Sequence, residues 1–120
     1  MIGKQELGKL GEELATRYLK NTGYDIIKRN YTCRIGELDI IAAKANYLIF
    51  VEVKTKQNFK FGHPREEVNY HKRQKLQQVA RYYISQHPKE GVDYRFDVVG
   101  ILYHNQDNYQ ISHIENAFLT

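Results

Sequence analysis

The sequence predicts an α/β fold: a mixed β-sheet flanked by helices, with the elements in the order αβββαββ. Three observations predict it. Two segments, about Lys4–Asn21 and Glu67–Gln86, carry apolar residues at helical spacing. Three short runs rich in branched and aromatic residues lie between them and two more follow, most of them bounded by Gly, Asn or Asp. One of these runs, Leu48-Ile49-Phe50-Val51-Glu52-Val53-Lys54, is almost continuously apolar, as expected of a strand buried on both faces.

Length and composition set the bounds. At 120 residues the chain suits a single domain, residues 1–120, with one core and no need of staples. A lone cysteine, Cys33, excludes an internal disulfide framework and a cysteine-rich zinc site. No apolar run is long enough to span a membrane, and Met1–Glu6 lacks the apolar core of a signal peptide. A cytoplasmic protein with no membrane partner is therefore expected. The net charge of +4 is mild and does not by itself imply nucleic acid.

In the first helix Leu7, Leu10, Leu14, Ala15 and Tyr18 make one apolar stripe, and Gly23 is a fitting left-handed terminator. Glu12 lies on the flank of that stripe among Gly8, Ala15 and Leu19; Glu13 lies on the other flank near Arg17. Both could be solvated helix charges, and for Glu13 that is the preferred reading. Tyr24–Arg34 is the first strand, with only fair alternation. Its Arg29, Asn30, Tyr31 and Arg34 could meet phosphates or simply protect a sheet edge. Gly36–Ala43 is the second strand, and Ala45-Asn46 a short connection to Leu48–Lys54, so the two form an antiparallel hairpin. The second helix buries Val68, Leu76, Val79, Ala80, Tyr83 and Ile84, and Pro88 and Gly91 close it. Tyr94–Tyr103 and Tyr109–Ile114 are the last two strands, joined by a turn at Asn105–Asn108. Asp97, in the first of them, reads as a structural hydrogen-bonding group.

The chemistry concentrates in the hairpin. Side chains two apart on a strand share a face, so Glu52 and Lys54 go together, and Glu37 goes with Asp39. A charge buried without a partner is costly. In a hairpin turning at residues 45 and 46, paired positions sum to 91, which sets Asp39 opposite Glu52. Facing Cβ atoms would lie roughly 4.5–5.5 Å apart. Two carboxylates that close repel unless a proton or cation sits between them. Mg²⁺ is a natural occupant of such an all-oxygen site. A plain Glu52/Lys54 pair satisfied by water at the strand end is the blander account.

Positive charge gathers after this strand. From Thr55 to Arg81 there are seven basic residues (Lys56, Lys60, Arg65, Lys72, Arg73, Lys75 and Arg81) against two acidic ones. With Phe59 and Phe61 interleaved, Lys56, Lys60, Arg65, Lys72, Arg73 and Lys75 could hold phosphates of a nucleic acid. A solvated helix face and a loop anchored on its own aromatics explain them too. His63 is a loop histidine, and Cys33 reads as a small packed residue.

Asp39, twelve intervening residues and Glu52-Val53-Lys54 resemble the D…ExK core of the PD-(D/E)xK nuclease superfamily, with Leu38 where the name has proline. Further motifs extend the likeness over nearly the whole chain: Gly11-Glu12, Gly23-Tyr24, Arg29-Asn30-Tyr31, Gly36-Glu37-Leu38-Asp39, Phe50–Lys56, Phe61-Gly62-His63-Pro64 and Arg95–Val99. Together they resemble the YraN-like family, similar to archaeal Holliday junction resolvases. The resemblance implies a restriction-endonuclease-like fold and an Mg²⁺- or Mn²⁺-dependent endonuclease. Asp39, Glu52 and Glu12 would hold the metal, Lys54 would be catalytic, and Glu37 would bind a second cation or tune the first. It implies branched or structured DNA as the substrate, in repair or recombination. A two-fold junction would favour a homodimer. The rival readings are a non-catalytic nucleic-acid-binding or scaffolding protein on the same fold, and RNA processing.

Overall fold

A computed structural model of the chain describes residues 2–57 and 70–117. The elements are α1 (Lys4–Asn21), β1 (Asp25–Thr32), β2 (Glu37–Lys44), β3 (Tyr47–Lys56), α2 (Tyr70–Gln86), β4 (Asp93–Asn105) and β5 (Asn108–Ile114), in the expected αβββαββ order. They build one five-stranded sheet in the order β1-β2-β3-β4-β5. β2 runs antiparallel to both β1 and β3, β3 and β4 are parallel, and β4 and β5 are antiparallel. The parallel pair follows from the connection through α2, because only a crossover returns the chain to the same end of the sheet.

One helix covers each face. On one face Leu14, Ala15 and Leu19 of α1 pack on Ile40, Ala42, Ile49, Val51, Val99 and Ile101. On the other, Leu76, Val79, Ala80 and Tyr83 of α2 pack on Ile41, Leu48, Phe50, Phe96 and Val98. Residues 48–51 of β3 are thus consumed alternately by two cores, which is why that segment is apolar at every position. Helix α1 ends as its glycine predicts. Gly23 has φ +94°, the Tyr24 amide donates to the Leu19 carbonyl at 2.9 Å, and the Gly23 amide donates to the Lys20 carbonyl at 3.2 Å.

Two expectations are adjusted. β1 stops at Thr32 rather than Arg34, and its register shifts between Ile26 and Lys28. That bulge leaves Ile27 44% exposed and accounts for the weak alternation in the sequence. Leu19, absent from the expected stripe, is fully buried in the α1 core. The expected start of the second helix, residues 67–69 with Val68, lies outside the described residues. Among the described residues no helix is long and apolar enough to cross a membrane.

Candidate active site

The β2–β3 ladder pairs Lys44 with Tyr47 at the turn and runs to Ile40 with Val51, every pair summing to 91 as expected. Beyond Val51, β3 stays paired with β4 as far as Lys56 and Leu102, while β2 stays paired with β1 as far as Glu37 and Thr32. The two strands diverge where Asp39 would have faced Glu52. In place of a ladder bond, the Val53 amide donates to Asp39 Oδ2 at 2.8 Å. The fork opens a cleft of about 520 Å³ whose lining includes Glu12, Glu37, Asp39, Glu52, Lys54 and Lys56. On the α2 side it adjoins a recess of about 200 Å³ lined by Glu37, Asp39, Glu52, Lys72, Lys75 and Leu76.

Glu52 and Lys54 do share a face: Lys54 Nζ stands 3.6 Å from Glu52 Oε1. Glu52 is only 8% exposed. Among the described residues its nearest cation is Lys72 Nζ, 2.8 Å from the same oxygen. Glu12 arrives from α1 because the helix lies almost on β3 one residue earlier. A Cβ on Gly11 would fall 1.7 Å from Thr55 Oγ1, so only glycine permits this approach. Glu12 Oε1 is buried and has no hydrogen-bond partner among the described residues.

The charges strain against one another. Burial pushes Asp39 up from 3.8 to about 7; the charges of Glu52 and Glu12 add to the rise, and the Val53 amide and Lys72 oppose it. Burial also raises Glu12, against the pull of Arg29 and of the Asn30 side chain, and Glu37 and Glu52 push it the same way. For Lys72, burial disfavours the charge, but its bond to Glu52 outweighs that and holds the ammonium above its ordinary range.

Of the sequence-predicted residues, Glu12, Glu37, Asp39, Glu52 and Lys54 meet at one cleft, and Lys56 lines it. Lys75 is exposed on α2 and Arg73 half-buried. Lys60 and Arg65 lie outside the described residues. The basic run around Lys72 predicts an exposed face for it; the side chain points into the site instead. Its position is readable, since Lys72 precedes Leu76 by four residues and so extends the buried stripe of Leu76, Val79, Ala80 and Tyr83 by one turn. Glu13 is a surface charge as expected, between Arg17 at 3.6 Å and Arg29 at 3.1 Å.

Asp97 does not line the cleft. It is fully buried on the α1 face, gripped by Arg95 at 2.9 Å through both carboxylate oxygens, by His113 Nε2 at 2.7 Å and by the Asn116 amide at 3.0 Å. The structural role expected for it holds.

Among the described residues no three His, Cys, Asp or Glu side chains form a ready-made metal cage. Val53 occupies one Asp39 oxygen and Lys72 one Glu52 oxygen. The donor set nonetheless fits a hard divalent cation. All the donors are carboxylate oxygens, they repel one another as they stand, and Glu12 contributes a buried oxygen that accepts nothing among the described residues.

Fold and site together define a small α/β protein whose central sheet forks onto a cleft of carboxylates and lysines. The family model described as "Uncharacterised protein family UPF0102" matches residues 11–101, a span that holds every cleft residue just named. A UPF0102 protein of Caldicellulosiruptor saccharolyticus is 44% identical over 119 residues, covering 98% of this chain and 100% of its own. One from Thermodesulfovibrio yellowstonii is 48% identical over 117 residues, covering 98% and 99%. One from Clostridium acetobutylicum is 44% identical over 115 residues, covering 95% and 94%. The chain belongs to the UPF0102 family.

Proposed function

We propose that this protein is a metal-dependent endonuclease that hydrolyses phosphodiester bonds in branched or structured DNA. One observation carries the reading. Asp39, Glu52, Lys54 and Glu12 come from three separate elements and meet on a single cleft at the strand fork. The resemblance of Asp39…Glu52-Val53-Lys54 to the PD-(D/E)xK core supports it.

Asp39 and Glu52 would hold Mg²⁺ or Mn²⁺, with Glu12 as a further or water-mediated ligand and Glu37 tuning the charge. Such a cation polarises the scissile phosphate and brings the pKa of a neighbouring water toward neutrality. Lys54 orients the attacking water and stabilises the negative charge that builds on the phosphorus centre. The Val53 amide fixes the Asp39 carboxylate, so little reorganisation is needed at that group. Lys56, Arg73 and Lys75 hold flanking phosphates through charge-assisted contacts that weaken with salt. A four-way junction, being two-fold, would be served by a pair of copies.

The test is a panel of end-labelled substrates: four-way junction, flap, single strand, duplex and structured RNA. Each is incubated with Mg²⁺, with Mn²⁺ and with EDTA. Cation-dependent cutting of junction or flap in preference to duplex and RNA is the expected result. Salt-sensitive binding with no cutting under either metal overturns it in favour of a scaffold. Preferential RNA cutting overturns the substrate class.

A further inference from the structure

Lys72 sits on the first turn of α2 beside the cleft, and its ammonium takes the same Glu52 oxygen that Lys54 approaches. The two lysines are not equivalent. The shorter contact belongs to Lys72, at 2.8 Å against 3.6 Å, and its side chain is 35% exposed against 19% for Lys54. Lys54 is fixed on a strand in the middle of the sheet. Lys72 reaches in from a helix on a four-carbon stem and presents a compact point charge. The recess it enters is lined by Glu37, Asp39 and Glu52, three carboxylates that need a counter-charge.

We propose that Lys72 is a tethered counter-ion: it holds Glu52 while no divalent cation is bound, and a divalent cation takes Glu52 by displacing it. The inference rests on the metal-dependent reading above. Lys72 and the metal exclude each other at Glu52 Oε1, because one carboxylate oxygen cannot serve an ammonium at hydrogen-bond distance and a divalent cation without strong repulsion between the two. Once displaced, the ammonium stays at the rim of the cleft, available to a substrate phosphate. A phosphate that binds it removes the competitor for Glu52. Metal and nucleic acid therefore strengthen each other's binding, by reciprocal linkage. Lys72 is a positioning residue in this account and touches no reacting atom.

The experiment is Mn²⁺ titration by calorimetry, without nucleic acid, into wild type, Lys72→Met, Lys72→Arg and the double variant Lys72→Met/Glu52→Gln. Lys72→Met should bind Mn²⁺ about tenfold more tightly than wild type, or better, since a neighbouring positive charge is gone. Lys72→Arg, which restores the charge, should stay near wild type, and the double variant should lose the gain. Equal or weaker binding by Lys72→Met overturns the displacement while leaving the metal reading intact. No Mn²⁺ binding by any of the four overturns both.

A second measurement uses the unaltered protein. Acetylation of Lys72, read by mass spectrometry, should speed up several-fold when Mg²⁺ is added, with exposed Lys9 as the unchanging control. Unchanged reactivity of Lys72 in saturating Mg²⁺ also overturns the displacement.

Discussion

Replacing Asp39 with asparagine should stabilise the metal-free protein at neutral and alkaline pH. The Asp39 carboxyl is raised from 3.8 to about 7, by burial first and then by the charge of Glu52. A carboxyl that holds its proton in the folded state while the unfolded chain has released it makes stability fall as pH rises. The loss begins near pH 4, is complete by about pH 7, and is flat above. At about 1.4 kcal/mol per pH unit, the rise amounts to roughly 4 kcal/mol. That is a large share of the roughly 5–15 kcal/mol that holds a domain folded. Asparagine keeps an oxygen to accept from the Val53 amide and carries no charge. In urea unfolding with EDTA, Asp39→Asn should therefore exceed wild type by up to about 4 kcal/mol at pH 8 and by little at pH 4. Adding Mg²⁺ at pH 8 should raise the wild-type midpoint and leave that of Asp39→Asn nearly unmoved. An Asp39→Asn protein less stable than wild type at pH 8 in EDTA would refute the reasoning, as would a gap that does not change with pH.

Other substitutions test other regions of the structure. Asp97→Ala strands Arg95 and His113 without their buried partner and should cost about 3–5 kcal/mol by chemical denaturation. Burial disfavours the Asp97 charge, but His113, Arg95 and the Asn116 amide overcome it and hold the carboxyl below its usual range. Wild-type stability from this group is thus present at neutral pH and lost only as pH falls below 4, a slope that Asp97→Ala should lack. Gly11→Ala drives a methyl into Thr55 and should cost about 1–3 kcal/mol or more. Adding Thr55→Ala should recover only some of this, because the Thr55 Cβ itself would lie 2.8 Å from the new methyl carbon. Glu12→Gln should leave the melting temperature of the metal-free protein unchanged or slightly higher, while Mn²⁺ affinity by calorimetry falls several-fold.

Much of the site is legible in the sequence because a hairpin obeys arithmetic. A two-residue turn at Ala45-Asn46 fixes every pair down to Ile40 and Val51, and so brings Asp39 toward Glu52. Arithmetic does not show that the strands separate at the next pair and that Asp39 turns its oxygen to the Val53 amide. That depends on β3 following β4 and β2 following β1, a competition between neighbours far apart in sequence. The β1 bulge at Ile27 is visible only as imperfect alternation. Lys72 reads as one of several phosphate-holding lysines because a run of His, Lys and Arg suggests a solvated face, although its spacing from Leu76 sets it on the buried one. The tight α1–β3 crossing at Gly11 is a tertiary contact. In the sequence it is one more glycine in a helix, distinguishable only by its place in the Gly11-Glu12 motif. Asp97 reads correctly as structural, but its partner His113 is sixteen residues away on the next strand, where no local pattern points.

The central claim is that Asp39, Glu52 and Lys54 form a hydrolytic centre, and it is tested most directly by single-turnover cleavage of the preferred substrate at saturating Mg²⁺, comparing wild type with Lys54→Ala. Lys54 acts on the charge of the transition state, so its loss should slow cutting by roughly a hundredfold or more. Mn²⁺ binding and substrate binding should change far less. Equal cutting by the two proteins, in preparations that both bind metal, would contradict the account.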